Sequence, residues 1–186
     1  MQSKTIVGDI NNFAMQNGIT LGILGIASLV VFKWSLTLPF LSTLFCLLLL
    51  SIPILATFLT FRVRNYIASE TGTFSFMSGF LHALFTGFYA SIWVALFTFV
   101  YLQYFDHGSI FVAYGKAIDT PEMQLYLQET GINTELNSIS GAQGVQGLVE
   151  AMEKIGPATY AAMILYSTLF FAPIFSTIIA IICRKK

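Results

Sequence analysis

The chain has 186 residues, of which 56% are hydrophobic and only 10% charged, with a mean hydropathy of +0.77; an ordinary soluble domain is about 45–50% apolar and about 25% charged. Nine basic and nine acidic residues give a formal net charge of zero, so no global field draws the chain to nucleic acid or to an acidic substrate. The composition is that of a lipid-embedded, all-α polytopic membrane protein.

Runs of about 20 apolar residues suffice to cross a bilayer core of about 30 Å, and four segments qualify: 12–32, 36–61, 74–104 and 157–183. The first ends in Lys33-Trp34 without a small-residue cleavage motif, so it is expected to stay as a span rather than leave as a signal. It carries a repeat of small residues, Ala14, Gly18, Gly22 and Gly25. The connection Lys33-Trp34-Ser35 is short enough to force an antiparallel hairpin with the second span. That span holds Cys46 and Pro53 and gives way to a basic, polar turn, "RVRNYIASETG".

The third span is unusually long. As one helix, residues 74–104 would extend about 46 Å at about 1.5 Å per residue, beyond the hydrocarbon thickness, so it either tilts strongly or projects its last turns; projection is favoured, with Trp93, Tyr101 and Tyr104 marking the interface and a stalk above it. Every fourth residue from Gly79 is small: Gly79, Ala83, Gly87, Ser91 and Ala95. Between helices in lipid there is little hydrophobic driving force, and small residues let backbones approach. With Gly18 and Gly22 of the first span, and Ala172, Ser176 and Ala180 of the fourth, this ladder reads as a helix-packing seam. The seam serves equally well inside one bundle or between two copies.

Residues 105–156 form the one sizeable polar region and carry Asp106, Asp119, Glu122, Glu129, Glu135, Glu150 and Glu153. "IDTPEMQLYLQETG" begins with an Asp/Thr cap, has Pro121 at the first helical position and ends at a glycine. "GVQGLVEAMEKIG" sets Val145, Leu148, Val149, Met152 and Ile155 on one helical face. Two short amphipathic helices are expected there, packed on the stalk or lying on the membrane surface, joined by a flexible loop, "INTELNSISGAQ". The fourth span, 157–183, is interrupted by Pro173.

Orientation follows from the basic residues, because cytoplasmic flanks carry an excess of Lys and Arg. Lys4, Arg62, Arg64, Arg184, Lys185 and Lys186 share the side of the termini, and Lys33, Lys116 and Lys154 lie opposite. Both termini are therefore expected in the cytoplasm and loop 105–156 outside it, as an acidic extracytoplasmic cap.

The chemistry-bearing residues are few. His82 shares one face of the third span with Ser75, Ser78, Thr86 and Tyr89, at spacings of three and four that stack on a helix. An ionisable residue inside the membrane suggests a proton relay or substrate pathway; a neutral imidazole hydrogen-bonded across the bundle explains it equally. Pro53 and Pro173, at similar distances from the cytoplasmic end, resemble either the paired helix breaks of a transporter or simple kinks. Asp106-His107-Gly108 reads as a helix end, or as the core of a weak surface metal site. Arg62 and Arg64 read as topology anchors or as contacts for lipid phosphates. Cys46 and Cys183 lack metal or CxxC spacing. No metalloprotease, nucleophile-elbow, phosphate-loop or dinucleotide motif occurs, so no cofactor, metal site or catalytic residue is implied.

The glycine-rich first span, "FRVRNY", the lead-in "GTFSFMSGF" to a long span ending in "YLQYF", the "IDTPEM" helix start and the closing "CRKK" resemble the domain of unknown function 4199 family, found mainly in Bacteroidota. The resemblance implies a four-span protein of the cytoplasmic membrane and adds no catalytic residue. It also implies an association with envelope glycosyltransferases as neighbours. The resulting expectation is a non-enzymatic accessory or scaffold subunit of a cell-envelope membrane complex, recruiting a membrane protein partner or a second copy. The alternative is a small oligomeric transporter or lipid-handling protein using the stripe around His82.

Overall fold

The computed structural model describes residues 2–142 and 144–185; Gln143 and Lys186, which belong to the loop and topology readings above, lie outside it. Four long helices are long and apolar enough to cross a membrane. They are α1 (Gln2–Ser35), α2 (Leu41–Thr71), α3 (Phe76–Tyr101), which continues through a π-helical turn at Leu102–Asp106, and, after four short helices, α8 (Pro157–Cys183). The short ones are α4 (Ser109–Ile118), α5 (Pro121–Glu129), α6 (Ile132–Ser140) and α7 (Gly144–Lys154).

Helix α3 is the centre of the bundle. α1 runs parallel along one side of it, with Gly18, Gly22 and Gly25 facing Tyr89, Trp93 and Val94 in turn. α8 runs antiparallel along another, with Gly79 against Ala180 and Gly87 against Ala172. A Cβ on Gly18 would sit 2.5 Å from the Cβ of Tyr89, closer than side-chain carbons pack, so glycine is required for this approach. The ladder is thus occupied within one chain. α1 and α8 both lie along α3 and scarcely meet each other.

The fourth member, α2, covers this arrangement over only half its length. Its buried residues all lie after Pro53: Ala56, Leu59, Thr60, Val63, Ile67 and Ala68. Before it, Leu44, Leu47, Leu49 and Leu50 are exposed. The start of α1, the end of α8, the α2–α3 turn and a short bridge between Phe74 and Lys185 lie at the closed end; the cap lies at the other.

Several boundaries differ from the sequence expectation. α1 begins at Gln2 rather than near residue 12, and α2 runs through "RVRNYIASE" to Thr71 instead of turning at Arg62. Arginine is a good helix former, and Ile67 and Ala68 pack in the core, so the helix stops only where Gly72 adopts φ +80°. The hairpin connection is correspondingly 36–40, with Thr37 and Leu38 N–H donating to the Trp34 carbonyl. α3 starts at Phe76, capped by Ser75. The expected loop at 132–143 is largely helix α6, because Ile132 and Leu136 form an apolar face; Leu136 is buried with Leu127 and Val145 in a second, smaller core. Helix α4 had no counterpart in the sequence reading. It packs on α7 where Gly115 admits Val149.

Candidate functional site

The residues of the polar stripe go to different tasks. Ser75 is the N-cap of α3: its hydroxyl accepts from Ser78 N–H at 3.1 Å and bonds the Ser78 hydroxyl at 2.9 Å. Tyr89 donates to Asn11 Oδ1 on α1 at 2.9 Å. Thr86 Oγ1 is buried with no hydrogen-bond partner among the described residues. His82 is fully buried and hydrogen-bonds none of these four. Its Nε2 lies 3.0 Å from Asn17 Nδ2 on α1, and its Nδ1 lies 3.0 Å from Thr60 Oγ1 on α2.

The donors fix the state of this ring. An amide nitrogen only donates, so Nε2 accepts and the imidazole proton sits on Nδ1. That proton goes to Thr60 Oγ1, whose own hydrogen goes to the Ala56 carbonyl at 2.8 Å. The chain Asn17, His82, Thr60, Ala56 is complete with a neutral imidazole and has no open position for a second proton. Asn17 and Thr60 escaped the sequence reading, although an asparagine within an apolar span is itself a visible signal.

A second site lies at the cap end, where α2 leaves the bundle uncovered. A cavity of about 730 Å³ opens between α1 and α8, with α3 as its floor. Leu29, Val30 and Phe32 of α1 and Met163, Ile164 and Thr168 of α8 form its sides, and Phe97 and Thr98 of α3 its floor. Ile110, Phe111 and Tyr114 of α4 and Met152 of α7 form its roof. The cap therefore does not pack flat on the end of α3; it roofs a chamber against it.

One polar tie holds that roof. Asp106, in the π-helical turn, is buried; its Oδ1 accepts from Tyr101 at 3.0 Å and Ser109 at 2.8 Å, and its Oδ2 from Ile110 N–H at 2.9 Å. The Lys33 ammonium lies 3.3 Å from Oδ1 and also donates to the Tyr101 hydroxyl. The end of α1, the end of α3 and the start of α4 thus meet on one carboxylate, whose donors replace the water it has lost. Asp106 and His107 do not form a shared cluster: Asp106 turns into this tie, and His107 lines a separate small pocket. Among the described residues no three of His, Cys, Asp and Glu converge as a metal site would require. Pro53 and Pro173 line neither cavity, and each has its carbonyl bonded by a threonine one turn later, Thr57 and Thr177, at 2.8 Å.

Four long apolar helices, with α1, α2 and α8 packed on α3, a helical cap and an apolar chamber between them define an all-α, multi-pass membrane protein. The chain belongs to the family described as Protein of unknown function (DUF4199), whose family model matches residues 16–185. Neither a curated protein nor a solved structure matches it.

Proposed function

We propose that this protein is a non-enzymatic lipid-handling component of the cytoplasmic membrane, whose cap-end chamber takes the apolar chain of a lipid from one leaflet. The supporting observation is the chamber: about 730 Å³, walled by aliphatic and aromatic side chains, in the half of the bundle that α2 does not cover. Ligand cavities commonly measure about 300–1,000 Å³, and an apolar wall beside lipid tails gains dispersion contacts when a chain fills it. The cavity is confined to one half of the bundle. A lipid chain reaches only to the middle of the bilayer, whereas a partner's spanning helix needs a groove through its full depth of about 30 Å. The excess of basic residues at the closed end favours that end as cytoplasmic, which faces the chamber to the outer leaflet.

The test is native mass spectrometry of the full-length protein purified in mild detergent from its own membrane. One lipid per chain is expected on the wild type, and loss of that lipid is expected in Thr168→Trp with helicity retained. A wild type free of lipid, or a Thr168→Trp protein that keeps it, would sink the reading. The accessory-subunit reading draws on a different observation, the exposed Leu125, Tyr126 and Ile139 on the acidic cap. A stoichiometric protein crosslinked through residues 105–156 would favour it, and a homo-oligomer carrying only lipid would favour ours.

A further inference from the structure

Beside the large chamber lies a smaller one of about 220 Å³, and the two share a wall of Leu102, Phe111 and Tyr160. The wall is stiff: the Phe111 and Tyr160 rings pack with centroids 5.3 Å apart, and the Tyr160 hydroxyl donates to the Met152 carbonyl at 2.8 Å. An amphiphile anchored by its chain in the large chamber therefore has its polar end within reach of the small one.

The small chamber is lined differently. His107 stands at φ 48°, the single positive φ outside glycine among the described residues, where the chain reverses from the π-helical turn into α4. Glu153 of α7 extends its carboxylate across the bare backbone of Gly108; a Cβ there would meet Oε1 at 2.9 Å. Both side chains line the pocket. Among the described residues neither has a hydrogen-bond or ion-pair partner, in contrast to Asp106, whose two oxygens are both engaged. An open carboxylate and an open imidazole thus face one small space next to an apolar chamber.

We propose that the ligand is a zwitterionic phospholipid with a primary ammonium in its headgroup, the ammonium meeting Glu153 and the phosphate meeting His107. This rests on the reading that the large chamber takes a lipid chain. A carboxylate only accepts and an ammonium only donates, whereas an imidazole N–H donates to a phosphate oxygen whether or not the ring is charged. A headgroup with phosphate alone brings a second anion toward Glu153 with nothing to offset it. A quaternary ammonium offers charge but no N–H.

The experiment adds phosphatidylethanolamine, phosphatidylcholine and phosphatidylglycerol with identical chains to the full-length protein in mild detergent and reads bound lipid by native mass spectrometry. Phosphatidylethanolamine is expected to be retained about tenfold better than the others, the worth of one charge-assisted hydrogen bond. Glu153→Gln, an exposed and nearly isosteric change, is expected to abolish that preference. His107→Gly, which keeps the backbone conformation, is expected to lower retention of all three together. Equal retention of the three headgroups, still displaced by Thr168→Trp, would overturn the headgroup assignment and leave the chain site standing. A preference that survives Glu153→Gln would also overturn it. Failure to retain any of the three would remove both proposals.

Discussion

His82 joins three helices through one ring, and its surroundings decide what it does. The imidazole takes one hydrogen bond from α1 and gives one to α2, and no carboxylate or basic side chain bonds it. That is a structural tie, and it has the consequences of one. His82→Ala removes two interhelical bonds, each worth about 0.6 kcal/mol on average in a membrane bundle, and leaves Asn17 without its partner. A loss of about 1–2 kcal/mol in detergent unfolding followed by circular dichroism is expected, with lipid retention at the distant chamber unchanged; an unchanged melting curve would contradict the tie. Gly18 makes a sharper case. Gly18→Val drives a branched side chain into the Cβ of Tyr89 and the backbone of Ala90 and is expected to disrupt the α1–α3 seam. Gly8→Ala, with nothing within 4 Å of the added carbon, is expected to be neutral or slightly stabilising. Equal melting temperatures for the two variants would show that the seam tolerates what the geometry forbids.

At the scale of the helix, α2 and α8 invite comparison because each carries proline with threonine one turn later. α8 stays on α3 across its proline because Ala172, Ser176 and Ala180 let the backbones close. α2 has no ladder of small residues at that spacing before Pro53, where Leu44, Leu47 and Leu50 stand exposed, and proline there removes the hydrogen bond that would hold the two halves in line. The second half is pinned by Thr60 on His82 and by five further buried residues. Restoring the missing bond with Pro53→Ala should therefore move the first half, toward the chamber mouth. Lower lipid retention is expected in Pro53→Ala, read by native mass spectrometry, and little change in Pro173→Ala. Matching effects from both prolines would mean that the course of α2 before Pro53 is not what leaves the cavity open. Helix ends and cap helices were the hardest elements to read from sequence. A hydropathy run marks where lipid ends, not where a helix ends, so the backbone of α2 continues past Arg62 until Gly72 stops it. "INTELNSIS" reads as a loop because its apolar residues gain their burial only from Leu127 and Val145 on neighbouring helices.

For the whole molecule, the four spans, the all-α class and the family were legible, since each is written in the order of features along the chain. The small-residue ladder and His82 were legible as features of one helix, but not their partners. Pairing Gly18 with Tyr89, or His82 with Asn17 and Thr60, requires the rotation and depth of each span, which hydropathy leaves open. The chamber was not legible at all, because it arises where α1 and α8 fail to meet. Orientation belongs to this scale too. Cysteines introduced at Asn137 and Lys185, on a background lacking Cys46 and Cys183, should differ in intact cells, with Asn137 labelled by an impermeant maleimide and Lys185 protected; equal labelling would refute a cytoplasmic closed end. The parallel pairing of α1 with α3 bears finally on how such a chain is made. Gly18, Gly22 and Gly25 of α1 face α3, not the helix that follows α1, so as synthesis proceeds the first hairpin enters the bilayer with its complementary surface still inside the ribosome. Until the third span arrives, the translocon or neighbouring lipid must shelter a groove that the finished protein keeps for itself.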